Sequence, residues 1–251
     1  MRELSTSNPL YLDGNGTTKV YESVQSCIGK ALKECYSNPS TMTPGGEQAR
    51  KLMEEARSNV IKFVVGKSAD AGGIVWNSGG TEGDMFAISL ALKLFEFAAR
   101  EEEEGKSQGA AASTPPPIVI STNVEHPAVA KYLQYLDHSG SCQHVQVPVD
   151  ESTGVASPQV VSSFVVAGKT ALVTAMYAQN ETGAVNDVAE MCKLVKAKDP
   201  NVLFHTDAAQ AVGKVRLEVG DVDLVTIVGH KFGAPKGEHV AFPSYGDAPP
   251  A

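Results

Sequence analysis

The sequence predicts an α/β fold, a mostly parallel sheet covered on both faces by helices. Three observations predict it. Short runs at residues 118–120, 171–176, 202–204 and 224–228 are apolar without strict polar alternation, as strands buried on both faces require. Segments with apolar residues at helical spacing lie among them. Residues with chemical capacity sit directly after the apolar runs, where such sheets place their binding crevice. A chain of 251 residues can bury a sizeable core.

Taken in order, the first segment with helical spacing is residues 46–65, with Ala49, Leu52, Met53, Ala56, Val60 and Ile61 on one face. Residues 74–76 form a short strand ending at the turn signal Asn77-Ser78-Gly79-Gly80. Residues 85–97 are apolar on most faces and read as a buried helix. Residues 101–117 run acidic, then small, then Pro-rich, the composition of a solvated surface insertion. Order resumes with a strand at 118–120, a short amphipathic helix at 128–136 and a strand at 145–149. A strand at 171–176, a helix at 188–195 and strands at 202–204 and 224–228 follow. Val240-Ala241-Phe242 can add a short strand, and residues 244–251 read as a disordered tail. Residues 1–20 are expected to be extended, and residues 1–243 to form one domain.

Composition narrows the function. Lys plus Arg is 21 and Asp plus Glu is 29, so the formal charge is 21 − 29 = −8. An acidic chain of this kind is a poor nucleic-acid binder. Cys27, Cys35, Cys142 and Cys192 form no CxxC pair, which argues against a disulfide scaffold and a zinc site and favours a reducing, cytoplasmic setting. The first residues lack the apolar core of a signal peptide. The longest apolar stretch, residues 85–94, is too short to span a bilayer.

Five strand ends carry candidate chemistry. SGGTEG at residues 78–83 opens a helix, so its backbone N–H groups and the helix dipole can hold an anion; a plain tight turn is the alternative. Glu125-His126-Pro127 offers a ligand, base or stacking ring, or an exposed loop histidine. Residues 179–183, QNETG, are turn formers. Asp207 after residues 202–204 can cap a turn or pair with a cationic ring nitrogen. Lys231 follows a buried strand, where a lysine is costly to desolvate without a task; it is an amine able to form a Schiff base, or a surface lysine. Together, an anion-binding turn, a stacking His, a carboxylate and a Schiff-base Lys meet the requirements of pyridoxal phosphate.

These motifs resemble the cysteine desulfurase and selenocysteine lyase family, class V of the fold type I pyridoxal phosphate enzymes. The resemblance runs over residues 11–237. It rests on YLDGNGTT (11–18), NPST (38–41), SGGTEG (78–83), EHPAV (125–129), QNETG (179–183), HTDAAQAVGK (205–214) and TIVGHKFGAPKG (226–237). The wording looks most like the selenocysteine lyase branch. The resemblance implies a three-layer fold type I large domain and a homodimer acting on a small amino acid, selenocysteine or cysteine. By position it implies Lys231 as the Schiff-base lysine and Asp207 as partner of the pyridine nitrogen. It places His126 on the ring face, and Gly80, Thr81 and His230 at the phosphate. Asn180 and Gln210 would lie at the phenolic-oxygen and substrate side, and Asn38 at the mouth of the site.

Three positions depart from the family pattern. Val228 stands where many cysteine desulfurases carry a hydroxyl residue, Gln179 replaces an Asn, and Gly16 replaces an Ala. The family continues after the lysine motif into a small C-terminal domain. That domain carries a mobile-loop cysteine, a substrate-clamping arginine and a phosphate contact to the partner subunit. The sequence matches none of these, so none of its four cysteines is assigned to catalysis. The expected reaction is removal of selenium or sulfur to leave alanine. The rivals are an inactive cofactor- or partner-binding paralogue, another class V aminotransferase, and a nucleotide-binding module using the SGGTEG turn.

Overall fold

The computed structural model describes residues 10–65, 73–104, 115–219, 221–237 and 239–243. Its helices are α1 (Glu22–Glu34), α2 (Pro44–Val65), α3 (Gly80–Glu104), α4 (Pro127–His138), α5 (Pro158–Ser163) and α6 (Val188–Lys198). Its strands are β1 (Val75–Asn77), β2 (Ile118–Thr122), β3 (Gln143–Val147), β4 (Thr170–Thr174), β5 (Leu203–Asp207), β6 (Leu224–Val228) and β7 (His239–Pro243). One sheet takes all seven strands in the order β1-β7-β6-β5-β4-β2-β3. β3, β2, β4, β5 and β6 pair in parallel, while β7 runs antiparallel between β6 and β1. β1 and β6 therefore point the same way, and the carboxyl ends of β1, β2, β4, β5 and β6 share one edge of the sheet.

Neighbouring residues of a strand face opposite sides, and each side has its own core. Val119 of β2 and Leu172 of β4 pack with Ile88 and Leu92 of α3 and Val129 and Leu133 of α4. The next residues, Ile120 and Val173, pack with Ile61 and Val64 of α2, Val161 of α5, and Met191 and Val195 of α6. The result is the three-layer arrangement expected for unbroken apolar strands.

Several boundaries differ from the sequence expectation. α3 runs on through the acidic residues 101–104, because Glu is a strong helix former whether or not its face is buried. The middle of the surface insertion, residues 105–114, and the tail at 244–251 lie outside the described residues. α1 buries no residue, so it offered no core periodicity of the kind that marks α6. α5 is a single turn and a half, started by Ser157, whose hydroxyl accepts from the Val160 N–H, and by Pro158.

β5 and β6 are joined through Asp223. Its carboxylate accepts from the Phe204 N–H at 2.6 Å and from Lys196 Nζ of α6 at 2.7 Å, with both side chains largely buried. Asp223→Ala strands the Phe204 N–H and removes the Lys196 ion pair, leaving Lys196 only the Pro200 carbonyl, and should cost about 1–3 kcal/mol in urea unfolding. Asp223→Asn, which keeps an acceptor for Phe204, should cost less. Equal losses would show that the Phe204 bond is unimportant.

Candidate active site

The turn from β1 into α3 is organised by its own side chains. The Ser78 N–H and O–H both donate to Glu82 Oε2, at 2.7 and 2.5 Å, which holds the Glu82 carboxyl below its usual range. The Gly79 N–H donates to Asn77 Oδ1 at 3.2 Å. The first amides of α3 have no intrahelical acceptor, and Gly80 and Thr81 line a cavity there. Gly80 is required by packing. A Cβ at this position would stand 2.7 Å from Val228 Cγ2 at the end of β6.

After β2, Glu125 and His126 lead into α4. His126 is the N-cap: its Nδ1 accepts from the Ala128 N–H at 3.1 Å. A backbone N–H can only donate, so the neutral ring is assigned the tautomer with hydrogen on Nε2. Burial pushes the His126 pKa down, with Asp207 pulling it back in part. At the end of β5, Asp207 Oδ1 accepts from the Ala209 N–H at 2.9 Å. Capping and site roles thus coexist, since Asp207 also lines the cavity. Burial raises the Asp207 pKa, and the Ala209 amide, His126 and Lys231 oppose the rise. After β6 a single 3₁₀ turn, Gly229–Lys231, presents His230 and Lys231.

These groups meet in one cavity of about 240 Å³, lined by Gly80, Thr81, His126, Asp207, His230 and Lys231 with Gly16, Asp84, Ala209 and Val228. Two larger grooves, of about 410 and 400 Å³, flank the C-terminal half of α3. The first reaches Thr170 and Leu203, the opening residues of β4 and β5, and so lies at the opposite edge of the sheet from the chemistry.

Asn38, Asn180 and Gln210 are not among the lining residues. Asn38 Oδ1 instead accepts from the Ser40 N–H at 2.9 Å before α2. The Asn180 carbonyl accepts from Asn15 Nδ2 at 3.1 Å. Gln210 Nε2 donates to the Asn15 carbonyl at 3.0 Å, and Lys214 Nζ donates to Gln210 Oε1. A lysine only donates, so both ends of that amide are assigned without ambiguity. The Gln179 substitution also has a local reason: its Oε1 accepts from the N–H groups of Glu181 and Thr182 and closes the loop.

Sequence reasoning missed Asp84 and Gly16. Asp84 lies three and four residues after Thr81 and Gly80, the spacing that puts all three on one face of α3. It is buried, its Oδ1 has no hydrogen-bond partner, and His205 Nε2 stands 3.8 Å away. Burial drives its pKa well up, reinforced by Asp207 and Glu125 and opposed by the Thr226 hydroxyl and Lys231. His205 is wholly buried between Thr174 Oγ1 (2.8 Å) and Thr226 Oγ1 (3.0 Å), and burial pushes its pKa down to about 3. Burial also pushes Glu125 up to about 8, although Oε1 accepts from the Thr122 hydroxyl and the Met176 N–H. Cys142 and Cys192 are buried, with thiols pushed up to about 11 and 12, while Cys27 and Cys35 lie outside the cavity.

The family profile described as "Aminotransferase class-V" matches residues 10–242. The chain belongs to the class V aminotransferase family. Among curated class V relatives, the selenocysteine lyase of Bos taurus is 34% identical over 240 residues, 92% of this chain and 54% of that protein. The cysteine desulfurase of Nostoc sp. is 38% identical over 237 residues, 91% of this chain and 51% of that protein. The chain spans about half the length of the curated relatives it matches. A solved NifS-like protein superposes with a TM-score of 0.81 at 29% identity, covering 95% of this chain and 60% of that one. The three-layer class V fold is thus shared.

Two predictions arise here. Gly80→Ala drives a methyl into Val228 and should destabilise the chain by about 1–3 kcal/mol. Adding Val228→Ser should recover most of that loss. A double-mutant cycle by chemical denaturation checks it, and simple additivity would show that the two positions do not share the space. The second concerns pH. Glu125 holds its proton more tightly folded than unfolded, so its contribution is complete below the unfolded carboxyl range and is lost as pH rises through about 8. His205 has the opposite sign but titrates below its unfolded value, so it is spent by neutral pH. Between about pH 5 and about pH 8 the wild type should therefore lose stability relative to Glu125→Gln, by up to about 1.4 kcal/mol per pH unit, with the difference levelling off above that. Parallel stability curves would refute the assignment.

Proposed function

We propose that this protein uses pyridoxal 5'-phosphate to remove selenium or sulfur from selenocysteine or cysteine, leaving alanine. The observation that supports it most is the meeting of Lys231, Asp207, His126 and the Gly80-Thr81 helix start in one cavity. Relatives named selenocysteine lyase and cysteine desulfurase support the choice of substrate.

The residues present fit the cofactor. The opening amides of α3, the Thr81 hydroxyl and His230 suit a phosphate. Gly80 keeps the approach to those amides open, since a Cβ there would meet Val228. Val228 brings no hydroxyl to the phosphate, so Thr81 and His230 carry more of that task. Asp207, fixed by the Ala209 amide, is the carboxylate for the ring nitrogen. His126, anchored through Nδ1, is the ring-stacking group. Lys231 lines the cavity, where its amine can meet a carbonyl carbon. When bound, the cofactor supplies an electron sink for negative charge at the substrate's α-carbon. Asp207 holds a proton at the ring nitrogen, and Lys231 Nζ carries the substrate's α-proton. Asn180, whose contact with Asn15 uses only its backbone carbonyl, keeps its side chain for the substrate side, while Gln210 and Asn38 serve there only after their present side-chain contacts rearrange.

The same reading includes a homodimer and a cytoplasmic setting. Exposed apolar residues at the N-terminal side, among them Leu10, Leu12, Tyr36 and Met42, support the first. Four free cysteines support the second. No helix of the described residues is long and apolar enough to cross a membrane. A second reading is cofactor binding without turnover.

Pyridoxal phosphate added to the purified chain should give a visible absorbance band that borohydride fixes covalently on Lys231, and Lys231→Ala should lose both. With selenocysteine or cysteine and a dithiol reductant added, formation of alanine with selenide or sulfide release should accompany the band, the reductant supplying the two electrons that convert the departing chalcogen to selenide or sulfide. A band without release supports the second reading, keto-acid-dependent amino transfer the aminotransferase reading, and no band overturns the cofactor assignment.

A further inference from the structure

The N-terminal segment before α1 touches three of the strand-end turns that build the cavity. Asn15 holds the loop after β4 and the turn after β5, through Asn180, Gln210 and Lys214. Two residues later the same segment grips the turn after β6. The Thr17 hydroxyl lies 3.0 Å from His230 Nδ1. The Thr18 N–H donates to the His230 carbonyl at 2.8 Å.

The Thr18 hydroxyl is the most tightly determined part of this contact. Its oxygen accepts from the Gly233 N–H at 2.8 Å, and a backbone N–H can do nothing but donate. Its own hydrogen goes to the His230 carbonyl at 2.9 Å, which can do nothing but accept. The two partners stand one residue before and two residues after Lys231. Tyr21 adds a further bond, its N–H to the Gly233 carbonyl at 3.1 Å. The turn itself is short. Within it the Phe232 and Ala234 N–H groups reach back to the Gly229 carbonyl, at 3.0 and 3.1 Å. Gly233 has φ of +96°, and a Cβ there would run into the Tyr21 ring, so the turn and the segment are fitted to each other.

We propose that Thr18 is a positioning residue for Lys231, its hydroxyl closing the lysine turn across both flanks from a distant part of the chain. The inference rests on the reading of Lys231 as the cofactor-linking lysine. Thr18 is not in the cavity lining, so it acts through the turn and not on the cofactor.

The test compares Thr18→Val and Thr18→Ser with the wild type, titrating pyridoxal phosphate and recording the visible band, its circular dichroism per bound cofactor and its pH midpoint. Thr18→Val should bind about tenfold more weakly, the size of one lost hydrogen bond with a stranded donor, and should alter the dichroism and the midpoint. Thr18→Ser keeps the hydroxyl and should match the wild type in all three. A merely structural role would lower the melting temperature of Thr18→Val without changing the dichroism per bound cofactor or the midpoint, and would overturn the proposal. Coupling is reciprocal, so the wild type alone gives a second measurement for the case in which Thr18→Val does not fold. Cofactor should slow hydrogen exchange at the Gly233 amide, and unchanged exchange there overturns the proposal. If the wild type binds no cofactor, it is the reading of Lys231 that fails. If it binds while the valine variant behaves identically, it is the role of Thr18 that fails.

Discussion

Parallel pairing of β2, β4, β5 and β6 is the constraint on which the rest of this structure depends. Parallel strands send every chain direction the same way, so four connections must emerge at one edge. The register fixes which residues emerge together. Asp207 stands opposite Thr226 in the β5–β6 ladder, two residues before Val228 and five before Lys231. The antiparallel β7 turns the chain direction back once more, so β1 joins the same edge and delivers the start of α3 against Val228. A slip of one residue between β5 and β6 would turn Asp207 to the other face and take the carboxylate out of the cavity.

That edge concentrates charge as well as turns. Asp84, Glu125 and Asp207 are all buried there, and each has its pKa pushed up by burial. Lys231 is the cation whose field reaches both aspartates, and His126 adds its own to Asp207. Three buried carboxylates cannot all stay ionised beside one amine in a low-dielectric wall. Asp207 keeps the best claim to the charge, with an amide hydrogen bond and the Lys231 amine facing it. Asp84, with an oxygen that lacks a hydrogen-bond partner and two neighbouring acids, and Glu125, pushed up to about 8, are the members biased toward the protonated form. His205, neutral and clamped by two threonines, stands beside Asp84 without adding charge.

Much of this was legible in the sequence because the fold uses plain signals. Unbroken apolar strands, with Gly, Asn or Asp at their ends, locate the sheet and its working edge. Lys231, Asp207, His126, Gly80, Thr81 and His230 were placed by their positions after those strands and by the family resemblance, and all six line one cavity. What was not legible depends on partners far away in sequence. Asp84 looks like an ordinary helix residue until β5 supplies His205 beside it. Glu125 reads as a loop acid until the Met176 amide and the Thr122 hydroxyl close on it. α1 could not be found from core periodicity because it buries no residue. β7 was visible as an apolar run, but its antiparallel direction was not, since direction is a property of the pairing and not of the run.

The departures from the family pattern acquire a physical sense on the same terms. Val228 would be a loss if it were judged alone, because it removes a hydroxyl from the end of β6. It stands against Gly80, whose missing Cβ is the space that Val228 Cγ2 takes. The two positions therefore form one packing unit with its volume moved to the β6 side. Gln179 likewise trades one turn-forming amide for another, and its longer side chain still reaches the Glu181 and Thr182 amides. Gly16 lines the cavity beside Asp13, whose carboxylate accepts from the Gly16 N–H and occupies the space a Cβ would need. In each case the substituted residue is compensated by a neighbour, within the same turn for Gln179 and Gly16 and at the start of α3 for Val228. The cavity's shape is thus maintained by local exchanges, while its charge arrangement, set by Asp84, Glu125, Asp207 and Lys231, is left untouched by all three.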